Sequence, residues 1–149
     1  MHLRMDHRKA NPQALNTMMQ MERFVKESGL DPNLYELVKI RVSQINGCSF
    51  CIDMHVQDLL KKGESKQRIY LLTAWREAPC FTERERAALE LAEALTLVSE
   101  SGVSDDVYQH VRSSFDEQEY IHLIMAINTI NGWNRLAIAT GMFPGCFDE

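Results

Sequence analysis

Four residues concentrate the chemistry this chain can offer: Glu36, Cys48, Cys51 and His55, in the spacing Glu-x11-Cys-Ser-Phe-Cys-x3-His. On a helix, Cys48 and Cys51 share a face with Cβ atoms about 5–6 Å apart, close to disulfide geometry. His55 follows one turn beyond Cys51, so the three side chains fall within an arc of ~60° at ~100° per residue. A thiol attacks only as a thiolate, and a free cysteine with a pKa of ~8.5 supplies few at neutral pH. Two devices can raise that fraction. A helix start after Gly47 favours negative charge on the nearby sulfurs, above all on Cys48. His55 can take the proton of Cys51, one turn away. A base within reach outweighs a diffuse terminal field, so Cys51 is assigned as the attacking thiol. Cys48 is then the resolving thiol, able to condense with a sulfenic acid or open a mixed disulfide. Glu36 lies on the preceding segment, on a face shared with Ile40 and Ser43 and offset from the apolar stripe. If the chain folds back at Gly47, its carboxylate can orient the imidazole or relay a proton through water. Otherwise it is an exposed glutamate near a helix start. Two other readings fit the same residues. The pair with His55 and Glu36 matches the donor types of a zinc site, or the cysteines are simply buried and inert. Haem attachment fails, because it needs the histidine directly after the second cysteine.

The elements that must position these groups read as helices throughout. Asn11-Pro12 and Asp31-Pro32 are cap-plus-proline starts, and Gly29 and Gly47 are stops. The first segment carries Leu15, Met18, Met19, Met21 and Val25 on one face, and the second Leu34, Leu37, Val38, Val42 and Ile45. A third runs from about Cys48 to Lys62, with Ile52, Val56, Leu59 and Leu60 inward and Gly63 ending it. Ser65 caps a fourth segment that Pro79 closes, and Thr82 with Glu85 forms a capping box for a fifth, carrying Ala88 to Val98. Thr82 to Arg86 reads as a solvated, ion-paired helix start. Ser104 opens a short sixth helix. Asp116 opens a long last one whose centre, IHLIMAINTI, is apolar on nearly every face, as in a helix central to a core or covered by another subunit. No convincing strand pattern occurs. The fold expected is all-α, a bundle of about six to seven helices. An echo at an offset of 85 residues, Val42–Cys48 against Ile127–Trp133, would imply a second helix–break–helix unit around Asn131-Gly132 if it is real. His2 and His7 read as tail residues, and Cys80 and Cys146 as ordinary thiols.

Composition narrows the function classes. The 149 residues, 45% hydrophobic and 25% charged, suit a single soluble domain over 1–149, with an N-terminal helix in 1–30 and the core in 31–145. A net charge of −5 argues against general nucleic-acid binding, which needs a basic face. No stretch approaches the ~18–20 apolar residues of a membrane span, and the basic N-terminus lacks the apolar core of a secretory signal. Four cysteines are too few for a disulfide scaffold, so a cytoplasmic setting and a functional close pair are expected.

At these residues the chain resembles the AhpD-like alkylhydroperoxidase family, within the carboxymuconolactone decarboxylase-like superfamily. The phrases that carry the resemblance are ELVKIRVSQINGCSFCIDMHVQDLLKKGE, LLTAWREAPCFTERERAALELAEALT and INGWNRLAIATG, covering roughly Tyr35 to Gly141. The resemblance implies a helical fold assembled as a homo-oligomer, a trimer or hexamer, and thiol-dependent reduction of hydroperoxides with no bound cofactor or metal. By that resemblance Cys51 is peroxidatic, Cys48 resolving, and His55 with Glu36 forms a proton relay. The disulfide would be re-reduced by an external dithiol of the lipoyl type, carried on a reductant protein. Some relatives have tyrosine where this chain has Phe50, so that hydroxyl is missing here. The cysteine pair argues against decarboxylation, whose enzymes in the superfamily lack it. A general disulfide reductase, a thiol sensor, or a non-catalytic helical or zinc-binding module are the alternatives.

Overall fold

A computed structural model of the chain describes residues 2–147. Among them are eight α-helices and no strand: α1 (His7–Ala10), α2 (Pro12–Glu27), α3 (Pro32–Asn46), α4 (Ser49–Lys61), α5 (Lys66–Leu71), α6 (Glu83–Thr96), α7 (Asp105–Arg112) and α8 (Glu117–Thr140), with a single 3₁₀ turn, Leu72–Ala74, extending α5. The starts follow local chemistry. Asn11 and Asp31 accept from the backbone N–H three residues on, each ahead of a proline. Thr82 and Asp116 complete capping boxes with Glu85 and Glu119. The helix not anticipated is α1, a single turn capped by Asp6 and too short to leave a periodic signal.

Helix α3 is the axis of the fold, packing against α4, α6 and α8. Its residues feed two cores. Leu34, Val38 and Val42 join Val25, Leu91, Leu123, Ile127 and Ile130 on one side. Leu37 and Ile40 join Leu59, Leu72, Trp75, Phe81 and Leu89 on the other. Each such side chain, withdrawn from water, contributes ~1.5–3 kcal/mol. The face shared by Glu36, Ile40 and Ser43 is therefore buried rather than offset from the core.

Gly47 ends α3 in the left-handed conformation (φ 72°), where a Cβ is disfavoured, and sends the chain back into α4. Cys48 is the N-cap of α4 rather than a member of its first turn. Its sulfur accepts from the Cys51 backbone N–H at 3.4 Å, and Cys51 sits at the third helical position. The 85-residue echo does not produce a second break. Gly132 lies inside the continuous α8, where a Cβ would come within 2.9 Å of the Met18 side-chain end, so its smallness serves close packing of α2 on α8. Its matched asparagines nevertheless meet. Asn46 donates to Asn131 Oδ1 at 3.0 Å and to Asn134 Oδ1 at 2.9 Å, a satisfied polar seam between α3 and α8.

The apolar centre of α8 is partly covered within the chain: Leu123, Ala126, Ile127 and Ile130 are buried where α8 packs on α2, α3 and α6, whereas Ile121 is exposed and Ile124 and Met125 are half-buried. The Thr82–Arg86 run does more than sit in solvent. Arg84 holds the Ser114 carbonyl and Glu119, and Arg86 holds the carbonyls of Ala78, Phe81 and Arg76. Val98 falls beyond α6 and is exposed. Among the described residues no helix is long and apolar enough to cross a membrane.

Candidate active site

The reversal at Gly47 lays α4 along α3 and brings the four candidate residues together. Cys48 and Cys51 are joined as a disulfide, with Cα atoms 5.4 Å apart. Both are buried at 2% exposure. His55, one turn along α4, is 6% exposed, and its Nδ1–H donates to Glu36 Oε2 at 2.9 Å across the α3–α4 contact. Cys51, His55 and Glu36 line one cavity of about 410 Å³, whose other walls include Met19, Met54 and Trp133. The bland expectation for Glu36, an exposed carboxylate, does not hold: it is 5% exposed and fully engaged.

A buried charge persists only when paired and hydrogen-bonded, and Glu36 is both. Its Oε1 accepts from Lys39 Nζ at 3.2 Å and from Lys62 Nζ at 3.1 Å. Burial opposes its ionisation, but the hydrogen bond from His55 and the charges and hydrogen bonds of Lys39 and Lys62 outweigh that and hold its pKa at about 2. Glu36 is thus a carboxylate at any working pH. An ionised carboxylate only accepts, so His55 must donate from Nδ1, which leaves Nε2 as the nitrogen able to take a proton.

Behind this pair lies a second, unanticipated layer. Lys39, 3% exposed, bridges Glu36 to Glu22 Oε1 at 3.2 Å. Glu22 Oε2 accepts from the Tyr35 hydroxyl at 3.0 Å and from Trp133 Nε1 at 3.3 Å. Burial, and then the Glu22 carboxylate, push the Tyr35 hydroxyl well above its usual range, so it remains a donor. The network ties α2, α3, α4 and α8 into one electrostatic unit around the cavity. The available signal was the i,i+3 pair of Glu36 and Lys39 set among Leu37, Val38 and Ile40. Charges inside a helix apolar on all sides must find partners. Which partners depended on the helix packing.

Two aromatic rings close the cavity's outer side. Phe50 meets Phe147 edge to face at 6.1 Å between centroids, and Arg8 lies over the Phe147 ring at 3.6 Å. His7, read from sequence as a tail residue, lines the same cavity. Cys80 and Cys146 are free and half-buried. Among the described residues, no group of three or more His, Cys, Asp or Glu side chains is placed to share a metal ion.

Comparison with known proteins follows the same lines. The Carboxymuconolactone decarboxylase family matches over residues 12–94. An uncharacterised Bacillus subtilis protein, YdfG, is 47% identical over 141 residues, spanning 95% of this chain and 96% of its own. A solved structure from Agrobacterium tumefaciens, described as of unknown function with an antioxidant-defence AhpD assignment, superposes with a TM-score of 0.91 at 41% identity, covering 93% of this chain and 95% of that one. The alkyl hydroperoxide reductase AhpD of Coxiella burnetii is 44% identical over 46 residues, which are 31% of this chain and 26% of that enzyme. With a family match over more than half its length and near-full-length relatives in sequence and structure, this chain belongs to the carboxymuconolactone decarboxylase family as an AhpD-like member.

Proposed function

We propose that the protein is a thiol peroxidase that reduces hydroperoxides at Cys51. The observation that carries this reading is the shared cavity of Cys51 and His55, with the imidazole held from behind by an always-ionised Glu36. In the reduced protein His55 Nε2 takes the Cys51 proton. The thiolate attacks one peroxide oxygen, the O–O bond breaks, and the departing alkoxide collects the proton from the imidazolium. Cys51 is left as a sulfenic acid. The Cys48 sulfur, already within bonding range, displaces hydroxide from it, and protonation releases water and yields the disulfide. An external dithiol then supplies two electrons to reopen the bond. A lipoyl-type dithiol on a reductant protein and a homo-oligomeric assembly are parts of this proposal and follow from the AhpD resemblance, and a cytoplasmic setting follows from the cysteine usage. The apolar lining from Met19, Met54, Trp133 and Phe147 suits organic hydroperoxides over hydrogen peroxide.

The test is chemical trapping. One equivalent of cumene hydroperoxide should convert the reduced protein to the Cys48–Cys51 disulfide. In Cys48→Ser it should leave a sulfenic acid that dimedone labels on Cys51. Labelling on Cys48 in Cys51→Ser instead would reverse the two roles.

A further inference from the structure

The disulfide does not open onto one space only. Cys51 faces the cavity already described, whereas Cys48 lines a separate cleft of about 300 Å³ that Cys51 does not reach. The last turns of α8 form the partition: Ala137 lies on the Cys51 side, Ile138 on the Cys48 side, and Met142 borders both. The two spaces differ in charge: in the Cys51 cavity Arg8, Lys26 and Lys39 are offset by Glu22, Glu36 and Asp58, whereas the second cleft has Arg4 and no acidic residue. His2 and Arg4 line it together with Ser49, the first residue of α4, so a positive side chain and a helix start border the space that Cys48 opens onto. Its wall is built rather than incidental. The N-terminal segment is pinned to the end of α8 by Arg4 N–H donating to the Thr140 carbonyl at 2.9 Å, and the Arg4 guanidinium donates to the Ala139 carbonyl at 3.2 Å. Gly141 permits this contact, since a Cβ there would lie 3.1 Å from the His2 carbonyl oxygen and from the Arg4 side chain.

We propose that the Cys48 cleft is the reductant's site, taking a small anionic dithiol whose thiolate attacks Cys48 while the peroxide uses the other side of the same bond. This rests on the thiol-peroxidase reading above and adds to it which sulfur is attacked, from which face, and by what charge class. The exchange balances. The reductant thiolate bonds to Cys48 Sγ, the Cys48–Cys51 bond breaks, and the electron pair leaves on Cys51, beside the histidine that serves it. The reductant's second thiol, deprotonated, then attacks its own sulfur in the mixed disulfide. A cyclic disulfide departs with two electrons fewer, Cys48 leaves as thiolate, and the dithiol's two protons end on the protein thiols. Attack from this face regenerates the peroxidatic thiolate first, inside the cavity where the next peroxide binds.

The experiment needs no peroxide, so it stands apart from the peroxidase reading. The protein is oxidised with diamide, and its reduction by dihydrolipoate is followed in Ser49→Trp, which fills the Cys48 cleft, and Met54→Trp, which fills the Cys51 cavity. Ser49→Trp should slow reduction at least tenfold and by more than Met54→Trp does. Arg4→Glu should slow dihydrolipoate about three- to tenfold more than it slows the neutral dihydrolipoamide. Lys66→Glu, the same charge change at an exposed site remote from both clefts, should show no such discrimination. With the monothiol 2-mercaptoethanesulfonate, acid quenching followed by alkylation should place the probe on Cys48 and the alkyl group on Cys51. A Met54→Trp effect equal to or larger than that of Ser49→Trp, or the probe on Cys51, overturns the proposal. Failure of the peroxidase reading would show separately, as inertness of the reduced protein toward every hydroperoxide.

Discussion

Replacing Glu36 with glutamine keeps the shape of the side chain and removes its charge from the centre of the site. The carboxyl pKa drops from an ordinary 4.5 to about 2 in the folded chain. At 1.36 kcal/mol per unit this corresponds to ~3 kcal/mol. Lys62, one of its three donors, is more than a third exposed, and solvent screening there lowers the expected value to ~2 kcal/mol. The sign follows from the direction of the shift. Because the folded pKa lies below the unfolded one, the stabilisation is complete above about pH 4.5 and is lost as pH falls toward about 2. Glutamine contributes nothing of this kind at any pH. Urea unfolding of the oxidised wild type and Glu36→Gln in parallel should therefore show a gap of ~2 kcal/mol near pH 7 that narrows below about pH 4.5, while all other carboxylates cancel in the difference. Equal stability near pH 7, or a gap that stays constant down to about pH 3, would refute the account of Glu36 as a buried, multiply paired carboxylate.

Two further substitutions probe the scaffold. Gly47→Ala forces a Cβ into the left-handed region at the turn that delivers Cys48, and should cost about 1–2 kcal/mol in denaturant unfolding. Lys39→Met removes the cation shared by Glu22 and Glu36, and should destabilise by roughly 3–5 kcal/mol at neutral pH. Adding Glu22→Gln to Lys39→Met should recover part of that loss, and a double-mutant cycle with zero coupling would contradict the shared-cation geometry.

The helices were legible because caps and stops are local. Asn11-Pro12, Asp31-Pro32, Thr82 with Glu85 and Asp116 each act on the backbone within one turn, and each opens a helix as expected. The Cys48, Cys51 and His55 grouping was legible for the same reason, being set by helical spacing over eight residues. Glu36 reached the site through the reversal at Gly47, a tertiary event that its position in α3 allowed but did not require. Glu22 and Trp133 approach it from α2 and α8: Glu22 is 13 residues from its partner Tyr35, and Trp133 is 111 residues from its partner Glu22. No local pattern marks such a meeting. Gly132 shows the opposite failure: Ile-Asn-Gly is the same tripeptide in both places, yet α8 continues through it with Met18 of α2 packed against it, whereas Gly47 turns.

The central claim is that Cys51 is the sulfur that reacts with peroxide. Consumption of cumene hydroperoxide in the presence of excess dihydrolipoamide, measured for the wild type beside Cys51→Ser, addresses it most directly. The account predicts turnover by the wild type and its loss to background in the variant. Equal rates for the two proteins would contradict it.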